Sequence, residues 1–206
     1  QRLLKRCGFA TKGIFVMDGS RRSGHGNVYF TGFGRNKRIV FFDTLVASLD
    51  HDEMEAVLAH ELGHYKHRHV LKQLALGMIA TLLGLALLGW LAGQHWFYQA
   101  LGVTLPSNAA ALLLFLLVSP VFTQFLQPLH ALISRRHEFE ADNFAREQSG
   151  PEPLIRALVK LYRDNASTLT PDPLYSAFHD SHPPAPLRVA RLSCKTGTEP
   201  RSTLAQ

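Results

Sequence analysis

The sequence predicts a mainly α-helical integral-membrane protein with a two-helix transmembrane hairpin, a small antiparallel β-sheet and a helix carrying the pattern His-Glu-x-x-His. Three observations support this class. Of the 206 residues, 46% are hydrophobic, and many of these lie in two uncharged blocks in mid-chain. Runs of β-branched and aromatic residues, separated by turn-forming residues, precede the blocks. The His-Glu-x-x-His pattern stands shortly before the first block.

Each uncharged block is long enough to cross a lipid bilayer. Residues 74–93 include no charged side chain, and a helix of that length covers about 30 Å at about 1.5 Å per residue. Residues 109–133 are also uncharged when His130 is neutral. The alternative is a soluble protein with a buried helical hairpin, but ordinary core helices rarely carry so long an uncharged run. Neither block resembles a signal peptide, because both lie in mid-chain.

Polar side chains interrupt the second block. Such a stripe faces protein or a water-filled cavity. The polar residues are Ser119, Thr123, Gln124, Gln127 and His130.

The basic residues indicate how the hairpin is oriented. The formal net charge of +6 is compatible with nucleic-acid binding. However, Lys and Arg flank both outer ends of the hairpin and are absent from its connection, 94–108. By the positive-inside rule both ends lie in the cytoplasm, so we expect a multi-pass membrane protein whose partner is a lipid bilayer and not nucleic acid. The flanking residues are Lys66, Arg68 and Lys72 before the first span and Arg135 and Arg136 after the second.

Residues 13–43 are predicted to form the antiparallel sheet. The runs IFVMD, NVYFTGF and RIVFFD are rich in β-branched and aromatic residues, and a turn is expected near 34–37. The periodicity then becomes helical. Asp50 and Glu53 have the spacing of a capping box, and Leu49 with Met54 can form a hydrophobic staple.

After the hairpin, the run SRRHEFEADNFAREQ predicts a helix that ends at Gly150. A second helix is expected over 153–165, followed mostly by loop until a short helix near 187–192, and the last dozen residues are expected to be disordered. We divide the chain into 1–70 with the sheet and motif helix, 71–134 with the hairpin, and a C-terminal region, 135–206. Because the chain opens with Gln1 and a basic run, we expect a C-terminal fragment of a longer membrane protein. Cys7 and Cys194 are expected to be free thiols.

The pattern His60-Glu61-Leu62-Gly63-His64 predicts a zinc site. Two histidines one helical turn apart present their imidazoles on one face, where they can bind a single Zn²⁺ per chain. Zinc lowers the pKa of a bound water to about 7, and Glu61 is placed to take its proton.

A third ligand is expected from the segment that follows the second span. Both ends of the hairpin lie on the same side, so 135–142 returns to the level of His60 and His64. Glu138 and Asp142 are four residues apart and share a helix face. We predict that Glu138 binds zinc and that Asp142 accepts a hydrogen bond from a ligand histidine. The alternative is a solvated acidic helix face.

Three nearby polar residues are given no ligand role. Glu140 is expected to point away from the zinc because it lies on another helix face. His67 and His69 lack the ligand spacing and are interpreted as polar residues at the membrane interface.

Four separated blocks resemble a known family of integral-membrane zinc peptidases, typified by the type I CAAX prenyl endopeptidase, with the HtpX heat-shock protease as a more distant relative. The resemblance spans about 15–191. Its blocks are VMDGSRRSGHGNVYFTGFGRNKRIVFFDTL, HELGH, SRRHEFEADNFA and SHPPAPLRVARL. It implies a zincin-like metalloprotease with zinc on His60, His64 and Glu138 and with Glu61 as the general base.

The resemblance also implies further site residues. His182 matches a position that contacts the substrate carbonyl or the developing oxyanion, and Arg188 matches an arginine beside the same site. Residues 27–33 resemble an edge strand that binds an extended peptide, with Asn27 as the substrate-contacting side chain. Alternatives stay open at each: a turn cap for His182, an ion pair with Asp142 for Arg188, and an ordinary hairpin for 27–33.

The predicted function is a membrane-embedded zinc metalloendopeptidase, with its active site on the cytoplasmic side, that cleaves near the C-terminus of prenylated proteins. Its expected partners are a peptide or protein substrate and the bilayer. One alternative is a quality-control protease for membrane proteins that uses the same site. A different class of alternative is a membrane scaffold without enzymatic activity.

Overall fold

The structure is a computed structural model that describes residues 2–9, 13–21, 28–31, 38–164 and 171–194. Helices dominate these residues, and a small sheet covers one side of the helical core. The buried apolar residues join the sheet to the motif helix and to the two helices packed against it. In chain order the elements are α1 Arg2–Arg6, β1 Ile14–Met17, β2 Val28–Thr31, β3 Arg38–Phe42, α2 Asp43–Ser48, α3 His51–Lys66, α4 His69–Ala92, α5 His95–Ala100, α6 Asn108–Thr123, α7 Gln127–Ser149, α8 Pro151–Asp164, α9 Pro173–His179 and α10 Ala185–Ser193.

The sheet is mixed, so the prediction of an antiparallel sheet is wrong for one of its two pairings. β2 pairs antiparallel with β3, whereas β1 pairs parallel with β3, which lies in the centre. Asp43, directly after β3, accepts hydrogen bonds from the backbone N–H groups of Gly19 and Ser20 at 2.9 and 3.0 Å. These bonds hold the segment after β1 beside the end of β3, so both strands run in the same direction. The predicted turn at 34–37 lies outside the described residues.

The motif helix α3 begins as the sequence predicts. Asp50 and Glu53 form the capping box, in which the Glu53 carboxylate accepts the Asp50 N–H at 2.9 Å. The helix packs most closely on α7, and Gly63 makes this contact possible. A Cβ at Gly63 would lie only 2.9 Å from the Cα of Ala141. The absence of a side chain at this position therefore sets how near the two site-bearing helices approach.

The first apolar segment forms α4, and the second forms α6 and continues into the helices that follow it. His69–Ala92 and the continuous run Asn108–Ser149 are both long and apolar enough to cross a membrane. Only 6% of the most apolar window of each is buried within the chain. A soluble core helix would be mostly buried, so these surfaces need apolar surroundings that the described residues do not supply. At the tip, Tyr98 on α5 donates a hydrogen bond to the Ala92 carbonyl at 2.8 Å and packs against Ala111. This small cluster joins the two arms.

The second apolar segment and the acidic helix form one continuous helical run, Asn108–Ser149. A short 3₁₀ turn, Gln124–Leu126, joins α6 to α7, with Pro120 and Pro128 on either side of it. Proline removes a backbone donor, which explains the locally tighter turn. The sequence division between 134 and 135 falls inside α7. One continuous helical run therefore connects the second apolar arm to Glu138 and Asp142.

The C-terminal region is more helical than the sequence suggests. α8 and α10 lie at the predicted places, and α9 forms where loop was expected. Asp172 caps α9 by accepting the Tyr175 N–H at 2.8 Å, and Arg135 ties α9 to α7 through the Ser176 carbonyl at 2.9 Å. The last dozen residues lie outside the described residues.

Candidate metal centre

Three side chains from α3 and α7 converge on one point. The Nε2 atoms of His60 and His64 lie 3.2 Å apart. Glu138 Oε2 lies 3.6 Å from His60 Nε2, and Glu138 Oε1 lies 3.4 Å from His64 Nε2. The helical period places the two histidines on the face of α3 that packs on α7, and Glu138 faces them from α7.

The residues fit a zinc ion. Ligands about 2.0 to 2.1 Å from a tetrahedral zinc lie about 3.3 to 3.4 Å from one another, close to the three distances between these donor atoms. Two imidazoles and one carboxylate are donors that zinc commonly takes, and three protein ligands leave a fourth position open. This group can therefore hold a metal ion.

Asp142 contacts His60 through the ring nitrogen that does not face the other candidate ligands. Its Oδ1 lies 2.9 Å from Nδ1 of His60, so the ring receives a carboxylate on the side opposite Nε2. Arg188 on α10 in turn holds Asp142 through two short hydrogen bonds, from Nε to Oδ2 at 2.8 Å and from Nη2 to Oδ1 at 2.6 Å. The sequence predicts the contact of Asp142 with a ligand histidine. It leaves the ion pair of Arg188 with Asp142 open as an alternative.

The carboxylates around His60 favour a positive charge on its imidazole. Burial alone lowers the pKa of His60, but hydrogen bonds with Asp142 and Glu138 outweigh it and raise the pKa to about 9. Burial also disfavours the charge on Arg188, yet its contact with Asp142 raises the pKa of the guanidinium above its ordinary value. The guanidinium of Arg188 lies against both of these buried carboxylates, 2.6 Å from Asp142 and 3.5 Å from Glu138.

Glu61 lines a cavity together with His60 and Glu138. The cavity has a volume of about 170 Å³, and its lining combines the site residues with Val28 of β2 and leucines of α8. Burial raises the pKa of Glu61, while the neighbouring His60 and His64 oppose the shift. A carboxylate with a raised pKa is better matched to proton transfer near neutral pH than one with an ordinary pKa.

His182 reaches the site from the loop before α10. Its side chain is 66% exposed, and its Nδ1 lies 3.1 Å from Glu138 Oε1. The hydrogen bond with Glu138 raises the pKa of His182, which burial partly opposes. The neighbouring Pro183 is fully buried, and its carbonyl accepts a hydrogen bond from the Tyr162 hydroxyl at 3.4 Å. The loop is thereby anchored while the imidazole faces the opening.

Asn27, the predicted substrate contact, lies outside the described residues. Val28, the next residue, lines the cavity and begins β2. Among the described strands β2 is an edge strand, because the order is β1-β3-β2. The strand that leads away from Asn27 therefore borders the site.

His69, interpreted as an interfacial polar residue, is buried beside His64. Its side chain is 2% exposed, and its Nδ1 lies 3.0 Å from Nδ1 of His64. Its Nε2 lies 3.0 Å from Oε2 of Glu140. Glu140 points away from the three candidate ligands, as expected, but it does so towards a histidine that contacts one of them.

This contact depends on the backbone of Arg68. Residues five apart on one helix do not face each other. Arg68 has a φ of 55°, a left-handed conformation that is uncommon for a residue other than glycine. It separates α3 from α4 and allows the first residue of α4 to turn back on His64. In the sequence, the signal for a special role of His69 was its polar side chain at the start of an apolar helix.

A model of the family described as Peptidase family M48 matches residues 1–196. The chain belongs to peptidase family M48. The resemblance drawn from the four sequence blocks is thereby confirmed.

Curated relatives support this membership. The chain is similar to CAAX prenyl protease 1 of Saccharomyces cerevisiae, with 38% identity over 92% of this chain and 46% of the relative. A homologue of that protease in Dictyostelium discoideum is 40% identical over 88% of this chain and 43% of the relative. The human homologue is 31% identical over 92% and 48%. The chain thus spans about half the length of the curated relatives it matches.

The fold is similar to a solved structure. The crystal structure of S. mikatae Ste24p matches 94% of this chain and 48% of its own chain, with a TM-score of 0.83 and 37% sequence identity. The helical architecture of this M48 chain, with its small mixed sheet and two apolar helices, is therefore that of Ste24p over the matched part.

Proposed function

We propose that this M48 chain is the catalytic portion of a zinc metalloendopeptidase that works at a membrane and cleaves near the C-terminus of prenylated proteins. The observation that carries the proposal is the convergence of His60, His64 and Glu138, two of which line one cavity together with Glu61. The relatives that bear the name CAAX prenyl protease support the substrate class.

His60, His64 and Glu138 would hold the zinc ion, which supplies Lewis acidity and lowers the pKa of water. Glu61 accepts the proton of the attacking water and returns it to the leaving amine. Its position in the cavity beside the ligands suits this role, and its raised pKa matches it.

His182 and Arg188 act differently from each other. His182 is exposed at the opening, so it can donate a hydrogen bond to the oxygen of the cleaved carbonyl as negative charge develops there. Arg188 is buried and bound by Asp142 through two hydrogen bonds. We therefore assign Arg188 a positioning role: it orients Asp142, which orients His60.

The substrate is an extended peptide that lies along β2. Among the described strands, β2 has no neighbour on one side, and this edge can offer backbone donors and acceptors to a peptide strand beside the cavity that Val28 lines. Asn27 would contact the peptide at the start of the strand.

The two apolar arms support a site at a membrane surface. Their exposed faces suit lipid or further apolar helices. Trp90 and Trp96 stand near the tip with ring centroids 6.1 Å apart, as expected for the interface opposite the site. The basic residues beside His64 and Glu138 support a site on the cytoplasmic side. A prenyl group can then stay in the apolar phase while the scissile bond enters the cavity.

The test uses the full-length protein with and without Glu61→Gln. The wild type is expected to hold one zinc per chain and to cleave a farnesylated C-terminal peptide in a chelator-sensitive way. Glu61→Gln should retain zinc and lose at least 100-fold of the cleavage rate, because general base catalysis contributes about 10² to 10⁴. Unchanged turnover in this variant would remove Glu61 from its role.

The same assay separates the alternatives. A peptide of equal sequence without the prenyl group is the matched control for substrate class. Preferential cleavage of an unfolded membrane protein would favour the quality-control function. A protein without stoichiometric zinc would favour the scaffold and overturn the proposal.

A further inference from the structure

His69 is a buried polar residue beside the site that the proposed mechanism does not use. Its Nδ1 lies 3.0 Å from Nδ1 of His64, and its Nε2 lies 3.0 Å from Glu140. The chain of contacts Glu140–His69–His64 resembles the contact that Asp142 makes with His60 on the other candidate ligand, extended by one imidazole.

The direction of each hydrogen bond follows from the metal site. His64 faces the other two donors with Nε2, so a metal takes this atom and leaves the ring proton on Nδ1. That proton can only be donated to an unprotonated Nδ1 of His69. A neutral His69 then carries its proton on Nε2 and donates it to the Glu140 carboxylate. All three contacts are satisfied with both rings neutral.

We propose that His69 is a positioning residue which, together with Glu140, fixes the tautomer and the ring orientation of the zinc ligand His64. The inference rests on the zinc site of the proposed function and deepens it. Each histidine ligand would then have a carboxylate behind it: Asp142 directly for His60, and Glu140 through His69 for His64. Such outer contacts hold ligands in place and increase their basicity.

The packing around His69 suits a residue that must not rotate. Its ring stacks on His137 at 4.1 Å between centroids and 11° between planes, and His67 stacks near it at 5.5 Å and 13°. Glu140, the outer member of this row of contacts, is bound by Arg136, whose Nε lies 3.2 Å from Oε1 of Glu140. These contacts hold His69 and Glu140 in place within the row Glu140–His69–His64, which we call the relay.

A second metal ion is the main alternative for these residues, because donor atoms of His67, His69 and Glu140 lie within 4.8 Å of one another. Binding there would take Nε2 of His69 and move its proton to Nδ1. That Nδ1–H would then face the Nδ1–H of zinc-bound His64 at 3.0 Å, two donors without an acceptor. Filling the first site therefore disfavours the second.

The experiment measures zinc retention of the full-length protein against a competing chelator. His69→Phe keeps a flat ring for stacking but offers no acceptor to His64. His69→Asn places an amide oxygen near the position of Nδ1 and can restore the acceptor. His67→Phe is the matched control, since it alters the neighbouring stacked ring and leaves the relay intact.

The relay predicts a loss of zinc affinity of about 10- to 100-fold in His69→Phe, the range known for outer contacts of metal ligands. His67→Phe should stay within about threefold of the wild type. His69→Asn, which restores the acceptor for His64 but lacks the Nε2–H donated to Glu140, should lose no more affinity than Glu140→Ala. Glu140→Ala, which leaves the buried rings unchanged, should weaken affinity by up to about tenfold and covers the case that His69→Phe does not fold.

Wild-type affinity in both His69→Phe and Glu140→Ala would overturn the relay. A second zinc equivalent that His67→Phe abolishes would also overturn it, in favour of the second site. If the variants lose zinc as the relay predicts but the wild type cleaves no peptide, the result would contradict the proposed function alone. A wild-type protein that holds no zinc would overturn both.

Discussion

Nδ1 of His60 and Oδ1 of Asp142 lie 2.9 Å apart across the contact between α3 and α7. The carboxylate thereby requires the ring proton on Nδ1 and leaves Nε2 free for a metal. Asp142→Asn can present an N–H group to the same atom and favour the wrong tautomer, so we expect zinc affinity to fall about 10- to 100-fold. Glu147→Gln, at an exposed position on the same helix, is the matched control. Equal zinc retention in the two variants would contradict the orienting role.

Gly63 controls the approach of the two site-bearing helices. In Gly63→Ala the new Cβ would lie 2.9 Å from the Ala141 Cα, a backbone-linked atom that cannot move alone. We expect α3 to shift from α7, with a cost of about 1 to 3 kcal/mol in stability and a clear loss of bound zinc.

Gly84→Ala is the control for this variant, because nothing lies within 4 Å of a Cβ at that position. It should leave zinc content and thermal stability unchanged within about 0.5 kcal/mol. Both variants can be compared by zinc analysis and by the rate of thermal inactivation in detergent. Normal zinc content in Gly63→Ala would show that the helices have room that the structure does not indicate.

Glu53 is a fully buried carboxylate at the start of α3. Its Oε2 accepts hydrogen bonds from the Asp50 N–H at 2.9 Å and from Lys160 Nζ at 2.7 Å. Glu53→Gln removes the charge and weakens both bonds, which should cost about 1 to 3 kcal/mol. Glu55→Gln, on the same helix but 35% exposed, should cost less than about 0.5 kcal/mol. Thermal unfolding of both variants tests the difference.

The same carboxylate predicts a loss of stability in acid. Burial raises the pKa of Glu53, but hydrogen bonds from Lys160 and from the Asp50 N–H outweigh it, so the pKa lies below its ordinary value of 4.5. A group whose pKa is lower in the folded state stabilises the fold above pH 4.5 and loses this contribution as the pH falls through the folded pKa. The wild type should therefore lose more stability than Glu53→Gln between pH 5 and the folded pKa. A parallel decline in the two proteins would contradict the lowered pKa.

Arg68 links the motif helix to the first apolar helix in a left-handed conformation, with a φ of 55°. Arg68→Gly can keep this backbone, whereas Arg68→Val disfavours it because β-branched residues rarely adopt positive φ. We expect Arg68→Val to cost about 1 to 2 kcal/mol in stability and to weaken zinc retention by displacing His69. Arg68→Gly should stay near the wild type in both measurements. Equal behaviour of the two variants would show that the turn does not position His69.

The sequence alone was sufficient for the features that depend on short-range periodicity. His60 and His64 share a face because they are four residues apart, and Glu138 and Asp142 do so for the same reason. Composition identified the two apolar arms, since an uncharged run of this length needs no knowledge of its neighbours. The capping box at Asp50 and Glu53 was equally local, because both residues belong to one helical turn.

Other features depended on how distant segments pack. The parallel pairing of β1 with β3 follows from the contact of Asp43 with Gly19 and Ser20, and strand periodicity is the same in parallel and antiparallel sheets. The contact of Arg188 with Asp142 depends on the approach of α10 to α7, which also brings Arg188 to the cavity.

His69 shows the same limit most clearly. Its spacing of five from His64 predicts no contact on a continuous helix, and the contact exists because the backbone turns at Arg68. The sequence by itself therefore determined which residues share a helix face and which segments avoid water, since these properties depend on residues within one or two turns. Only the tertiary structure decided which faces meet, because the free energy of those contacts depends on side chains that are far apart along the chain.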